Sequence, residues 1–129
     1  MNEKMKFYRC SICGNILGQI KNGGGNLVCC GKPMDVMVAN SVDASLEKHV
    51  PYAERVDGQL KISIGTAPHP MAEEHFIEWV AVCTDKGTQR IALVPGQEPV
   101  VYVCDADPEE RKTTIYAYCN LHGLWKTTI

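Results

Sequence analysis

The sequence predicts a mostly β protein in two parts: a small cysteine-rich module over residues 1–38 and an antiparallel β domain over residues 39–129. Three observations lead there. Four of the seven cysteines and six of the eleven glycines (Gly14, Gly18, Gly23, Gly24, Gly25, Gly31) fall before residue 39. From about residue 40 onward, short β-prone runs recur with turn residues between them, the pattern of a sandwich or barrel. Helical patterning is confined to two short stretches, "ASLEKH" (44–49) and "ADPEERK" (106–112).

In chain order, the first part is too short to bury enough apolar surface unaided, and a metal staple is the usual remedy. "NGGG", Asn22 to Gly25, reads as a loop tip. In the second part "LKISI" alternates Leu60, Ile62 and Ile64 with Lys61 and Ser63, after an Asp57-Gly58 turn signal. Further strands are expected at "FIEWVAVCT" (76–84), "QRIALV" (89–94), "PVVYVCD" (99–105) and "TTIYAYC" (113–119). Asp85-Lys86-Gly87, Pro95-Gly96 and Asp107-Pro108 separate them. No internal repeat or low-complexity tract is present.

Composition excludes several function classes. With 13 basic and 15 acidic residues the net charge is -2, which gives no electrostatic footprint for nucleic acid. The longest apolar runs, such as "PVVYVC", are too short to cross a bilayer. "MNEKMKFYRC" has no apolar core for a signal peptide, so a cytoplasmic location is expected. There thiols stay reduced, and an odd count of seven cysteines argues for metal ligation over disulfides.

Cys10-x2-Cys13, then Cys29-Cys30, supplies four soft ligands, a set that selects zinc or iron. Neighbouring cysteines cannot both form a CxxC knuckle, so a distorted tetrahedron is expected. The second cluster comprises all four histidines with Cys119: His49 in "EKHVP", His69 in "APHPM", His75 in "EEHFIEW" and His122 in "CNLHG". A single histidine is most often an ordinary surface or core residue. Two of these stand beside prolines, which restrict the backbone and reduce the entropy lost on holding a ligand. Four imidazoles and one thiolate suit a borderline ion such as iron(II), filling five positions and leaving a sixth for substrate. The alternative is a packed cysteine and a nearby histidine.

Residues 5–38, with the adjacent Cys29-Cys30, resemble the desulforedoxin family, whose members hold one iron by four cysteines. The resemblance, not the spacing, chooses iron over zinc. "EKHVP", "HP" with the "EHF" histidine six residues on, and "CN-x-HG-x-W" resemble the superoxide reductase family. The whole chain is similar to its two-iron desulfoferrodoxin form. The resemblance implies a rubredoxin/desulforedoxin-like module joined to an immunoglobulin-like antiparallel β-sandwich. It implies two irons: one on Cys10, Cys13, Cys29 and Cys30, the other on equatorial His49, His69, His75 and His122 with axial Cys119. It also implies reduction of superoxide to hydrogen peroxide, a rubredoxin-like electron donor and a homodimer. Lys48 would attract the anion, and Glu47 would occupy the vacant position of the oxidised iron. An extended "EKH" would point Lys48 away from His49, so both charges are expected on a mobile loop.

Cys83 and Cys104 are expected as buried small hydrophobes. Trp79 and Trp125 are expected in the core, with Trp125 able to line the thiolate's surroundings. Glu73, Glu74, Glu109 and Glu110 read as solvated surface. A pure electron carrier and a zinc-ribbon binding module with incidental histidines are the competing readings.

Overall fold

The computed structural model describes residues 5–42, 44, 46–65, 69–105 and 113–129, without the side chain of Glu47. "ADPEERK", Asp107-Pro108, Glu109 and Glu110 thus lie outside the described residues. Two compact units are present, Met1–Val38 and Ala39–Ile129.

The first unit is built on short strands: β1 (Lys6–Arg9), β2 (Ile16–Gln19), β3 (Val28–Cys29), β4 (Lys32–Pro33) and β5 (Asp35–Val36). They form a sheet in the order β2-β1-β5 and a two-stranded β3-β4 ladder. Among the described residues of this unit only Phe7, Cys10 and Met34 are buried apolar side chains. That is too little to hold an isolated fold, so the cysteines carry the constraint. At the loop tip the Gly24 N–H donates to Asn22 Oδ1 at 2.9 Å, which closes an Asx turn.

The second unit opens with one helical turn, α1 (Leu46–His49), followed by β6 (Pro51–Val56), β7 (Gln59–Ile64), β8 (Ile77–Thr84), β9 (Gly87–Ala92), β10 (Val100–Cys104), β11 (Thr114–Cys119) and β12 (Gly123–Thr128). Sheet order is β10-β7-β6 on one side and β12-β11-β8-β9 on the other, all antiparallel. One apolar cluster draws Leu60, Ile62, Ile64, Val101 and Val103 from the first sheet and Ile77, Val80, Val82, Ile115, Ala117 and Cys119 from the second. The sheets are therefore packed face to face as a sandwich.

Turn chemistry sets the registers. Val56 pairs with Gln59, leaving a two-residue loop in which Asp57 (φ 51°) and Gly58 (φ 80°) are both left-handed, as a type I′ hairpin demands. Thr84 pairs with Gly87, so the β8–β9 loop is Asp85-Lys86 alone. This corrects the strand expected over 89–94: the tight loop draws Gly87 into the ladder, and Leu93 and Val94 fall beyond it. Strands β6 and β12 were not expected. Cys83 and Trp79 are buried as expected, Trp79 stacked on Tyr118 at 5.6 Å. Cys104 is exposed, which corrects the expectation of burial. With Val101 and Val103 facing inward, the two-residue period of a strand sends Cys104 outward.

Ile62, with 0% exposure, lies at the centre of the cluster. Truncation in Ile62→Ala is expected to cost about 2–5 kcal/mol in urea unfolding. Tyr52→Ala, on the exposed face of β6, is expected to stay within about 0.5 kcal/mol.

Candidate metal centres

The first cluster is shaped by two loops. Cys10 follows β1, and the N–H groups of Ile12 and Cys13 point at its Sγ at 3.4 and 3.5 Å. The Asn15 N–H does the same for Cys13 Sγ at 3.4 Å. On the other side Cys30 takes a left-handed backbone (φ 54°) and is followed by left-handed Gly31 (φ 73°). That turn lets adjacent cysteines present both sulfurs to one point. Sγ separations are 3.6 Å for Cys13–Cys29 and 4.0 Å for Cys29–Cys30. Four sulfurs each about 2.3 Å from a central ion would be about 3.8 Å apart. The unequal spacings agree with a distorted tetrahedron.

Backbone donors hold the Cys10 thiol down to about 6, the N–H of Cys13 contributing most. Hydrogen bonding with Cys13 and Cys29 pushes Cys30 up to about 12, and Cys13 likewise raises Cys29. Sulfurs crowded this closely cannot all ionise without a cation among them, so the set fits a bound metal.

In the second unit, His49 ends α1, whose turn is closed by the Val50 N–H donating to Leu46 O at 3.0 Å. His69 is buried, and its Nδ1 lies 2.7 Å from Pro70 O. A carbonyl only accepts, so Nδ1 carries the proton and Nε2 keeps a free lone pair. His75 lies two residues before β8. Cys119 pairs with Gly123, so Asn120, Leu121 and His122 form the β11–β12 hairpin loop. Gly123 (φ 82°) takes a left-handed backbone where β12 leaves the loop, a conformation that favours glycine. The Cys-x-x-His spacing is thus a hairpin spacing.

The imidazoles form a closed ring. Adjacent centroids are 4.6 Å (His49–His69), 4.8 Å (His69–His75), 5.1 Å (His75–His122) and 4.9 Å (His122–His49), each pair edge to face. The His49–His75 diagonal is longer, at 6.5 Å, as a near-square requires. His49 Nε2 and His122 Nδ1 are 3.1 Å apart. Two adjacent ligands each about 2.1 Å from one ion would be about 3 Å apart. Cys119 Sγ is 3.8 Å from His122 Nδ1. One ligand atom each from His49, His75, Cys119 and His122 lies within 4.8 Å of the others. His69 joins this set through its ring contacts with His49 and His75.

Among the described residues, buried His69 Nε2 and His75 Nε2 have no hydrogen-bond partner. Buried ring nitrogens left without a partner inside a cluster of histidines are what a metal would satisfy. Burial pushes the His69 pKa down to about 4, and burial also lowers His75. Both rings are thus neutral near pH 7, as ligation needs. Burial raises the Cys119 thiol, against a downward pull from the N–H groups of Leu121 and His122.

Lys48 is exposed, and its charge contributes to lowering the His75 pKa, which places it within electrostatic reach of the ring. It sits on the helical turn α1, which corrects the mobile loop expected for it. Glu47 shares that turn, its side chain outside the described ones. Trp125 stacks on His49 at 4.8 Å, and its Nε1–H donates to His122 O at 3.1 Å. The sequence reading missed two asparagines. Asn15 Nδ2 donates to Cys29 Sγ at 3.6 Å, and Asn120 bonds to the chain beside His75. Their one sequence signal is position, each within two residues of a cysteine. Glu73 and Glu74 are exposed.

An all-sulfur site and an imidazole–thiolate site, on separate β units, define a two-centre non-haem metalloprotein. Residues 41–128 match the family described as Desulfoferrodoxin, and residues 2–37 match the Desulfoferrodoxin N-terminal domain. Desulfoferrodoxin of Desulfarculus baarsii is 42% identical over 127 residues, covering 98% of each chain. The superoxide reductase structure from Treponema pallidum superposes with a TM-score of 0.76 at 28% identity, covering 97% of this chain and 99% of that one. The one-iron superoxide reductase of Giardia intestinalis covers 64% of this chain and 97% of its own, with 34% identity and a TM-score of 0.54. The chain belongs to the desulfoferrodoxin family, and its two donor sets are consistent with two iron centres.

Because His69 and His75 are held neutral, the metal-free protein resists protons that the unfolded chain takes up. This stability is present above the ordinary histidine pKa of 6.5 and is lost as pH falls through about 4. The urea midpoint of metal-free protein is expected to fall across that window, and less steeply in His69→Leu.

Proposed function

We propose that the chain is a superoxide reductase, converting superoxide, one electron and two protons into hydrogen peroxide. In this reading His49, His69, His75, His122 and Cys119 hold the catalytic iron, and Cys10, Cys13, Cys29 and Cys30 hold the other. The observation that carries it is the ring of four imidazoles with a buried sulfur beside it and two buried ring nitrogens that have no partner among the described residues. Further support comes from the relative in Pyrococcus abyssi named superoxide reductase, 31% identical over 101 residues.

A bound iron supplies the one-electron couple and a binding position for the anion. The chain's residues do the rest. Cys119, once ionised, supplies electron density to the site. His75 and His122 are half-buried and bring one side of the ring to the surface. There the exposed Lys48 ammonium draws a small anion inward. Glu47, beside it on the same turn, is assigned the closing of the oxidised site. The all-sulfur site serves as electron relay or staple. A rubredoxin-like protein supplies the electron, the chain pairs as a homodimer, and the setting is the cytoplasm. Seven thiols free of disulfides agree with a reducing compartment. No helix among the described residues is long and apolar enough to cross a membrane.

Product stoichiometry tests the reading. A reductase yields one peroxide per superoxide and consumes one donor electron, with no dioxygen evolved. Half that yield with dioxygen released would mean dismutation, and no reaction would leave an electron carrier. Lys48→Ala is expected to slow the superoxide encounter by up to about tenfold at low ionic strength, with the gap closing as salt rises. Asn15→Ala removes a donor from Cys29 Sγ, so the reduction potential of the all-sulfur iron is expected to move negative in voltammetry.

A further inference from the structure

We propose that Asn120 is the positioning residue of His75: its carboxamide locates that imidazole against the Cys119–His122 hairpin. The inference rests on the reading of His75 as a ligand. His75 precedes β8, so the β11–β8 ladder does not reach it: the last pair is Cys119 with Ile77. On its own side, among the described residues, the His75 backbone is tied to Ala72 by a reciprocal pair of bonds at 3.0 Å. That closes a small loop but does not say where the loop sits relative to the other ligands.

Asn120 supplies the missing tie. Its Nδ2 donates to Glu74 O at 3.1 Å, and its Oδ1 accepts from the Phe76 N–H at 3.0 Å. The Asn120 N–H donates to Phe76 O at 3.2 Å. One side chain therefore grips the backbone on both flanks of His75. The register shift at Tyr118/Cys119 accompanies this arrangement, bringing Cys119 opposite Ile77 as the strand ends. Beyond the bulge, the carboxamide takes the place of the next ladder pair.

The chemistry is specific to asparagine. The clamp needs a donor and an acceptor side by side on a short stem. Aspartate keeps the acceptor and sets a negative charge against Glu74 O, alanine loses both groups, and glutamine is one methylene too long. Asn120 also lies between Cys119 and His122, so displacing it disturbs the geometry between the thiolate and His75 without removing a ligand.

The test titrates ferrous iron into the full chain against a competing chelator and records the visible spectrum of each oxidised centre. Asn120→Ala and Asn120→Asp are each expected to weaken iron binding at the imidazole–thiolate site by about tenfold or more and to shift its thiolate absorption. The far-UV circular dichroism should not change, which marks a folded chain, and neither should the spectrum of the all-sulfur centre in the other unit. In a His75→Ala background the same substitutions should cost less than about twofold, because the ligand they position is gone. Equal losses in both backgrounds, or wild-type affinity and spectrum in both Asn120 variants, would overturn the proposal. If His75→Ala itself left iron binding unchanged, the ligand reading would fail first. If Asn120→Ala does not fold, the nearly isosteric Asn120→Asp carries the comparison.

Discussion

One sulfur organises the second centre. Cys119 Sγ is 0% exposed and belongs to the same apolar cluster as Ile62, Ile77 and Ile115. An isolated thiolate in that setting is costly, and burial holds the thiol protonated. The charge becomes tolerable only beside a cation, and the neutral imidazoles are where such a cation would be held. Without that pairing, Cys119 is a small hydrophobe and four histidines crowd together with two nitrogens unsatisfied.

The sandwich delivers these groups from different directions. Cys119 is the last residue of an interior strand flanked by β8 and β12, so its position is fixed from both sides. His122 follows at the end of a three-residue loop. His49 arrives on α1, with Trp125 of β12 stacked against its ring. His69 and His75 come from the connection between β7 and β8. His49 and His69 form the buried side of the ring, while the half-buried His75 and His122 bring the other side to the surface. This asymmetry suits a site that must stay intact and still meet a small solute. The first unit solves a different problem. With few buried apolar residues, its sulfurs supply the constraint that a core would supply elsewhere.

Much of this was legible in the residues. Leu60, Ile62 and Ile64 alternate in the sequence and face the core in the fold, and Asp57-Gly58 turns as its residues demand. The four cysteines of the first unit come together as their spacing suggested, and the four histidines gather beside Cys119 as the family resemblance implied. Strand β6 was hidden because it is an edge strand in which the neighbouring charged residues Glu54 and Arg55 leave no apolar alternation to mark it. Strand β12 was hidden because "HGLWK" read as ligand motif, although Leu124 and Trp125 are also strand residues. Cys104 misled because a run of valines does not say which face each residue takes. The clamp by Asn120 was illegible for another reason. It joins positions 46 and 44 residues apart, and no local pattern announces a hydrogen bond across that distance.

Iron-edge X-ray absorption on a full chain with Cys10 and Cys13 replaced by serine reads the second centre alone. The account predicts a shell of four nitrogens and one sulfur, the sulfur contribution disappearing in Cys119→Ser. A shell of light atoms without sulfur, or a sulfur signal indifferent to Cys119, would contradict it.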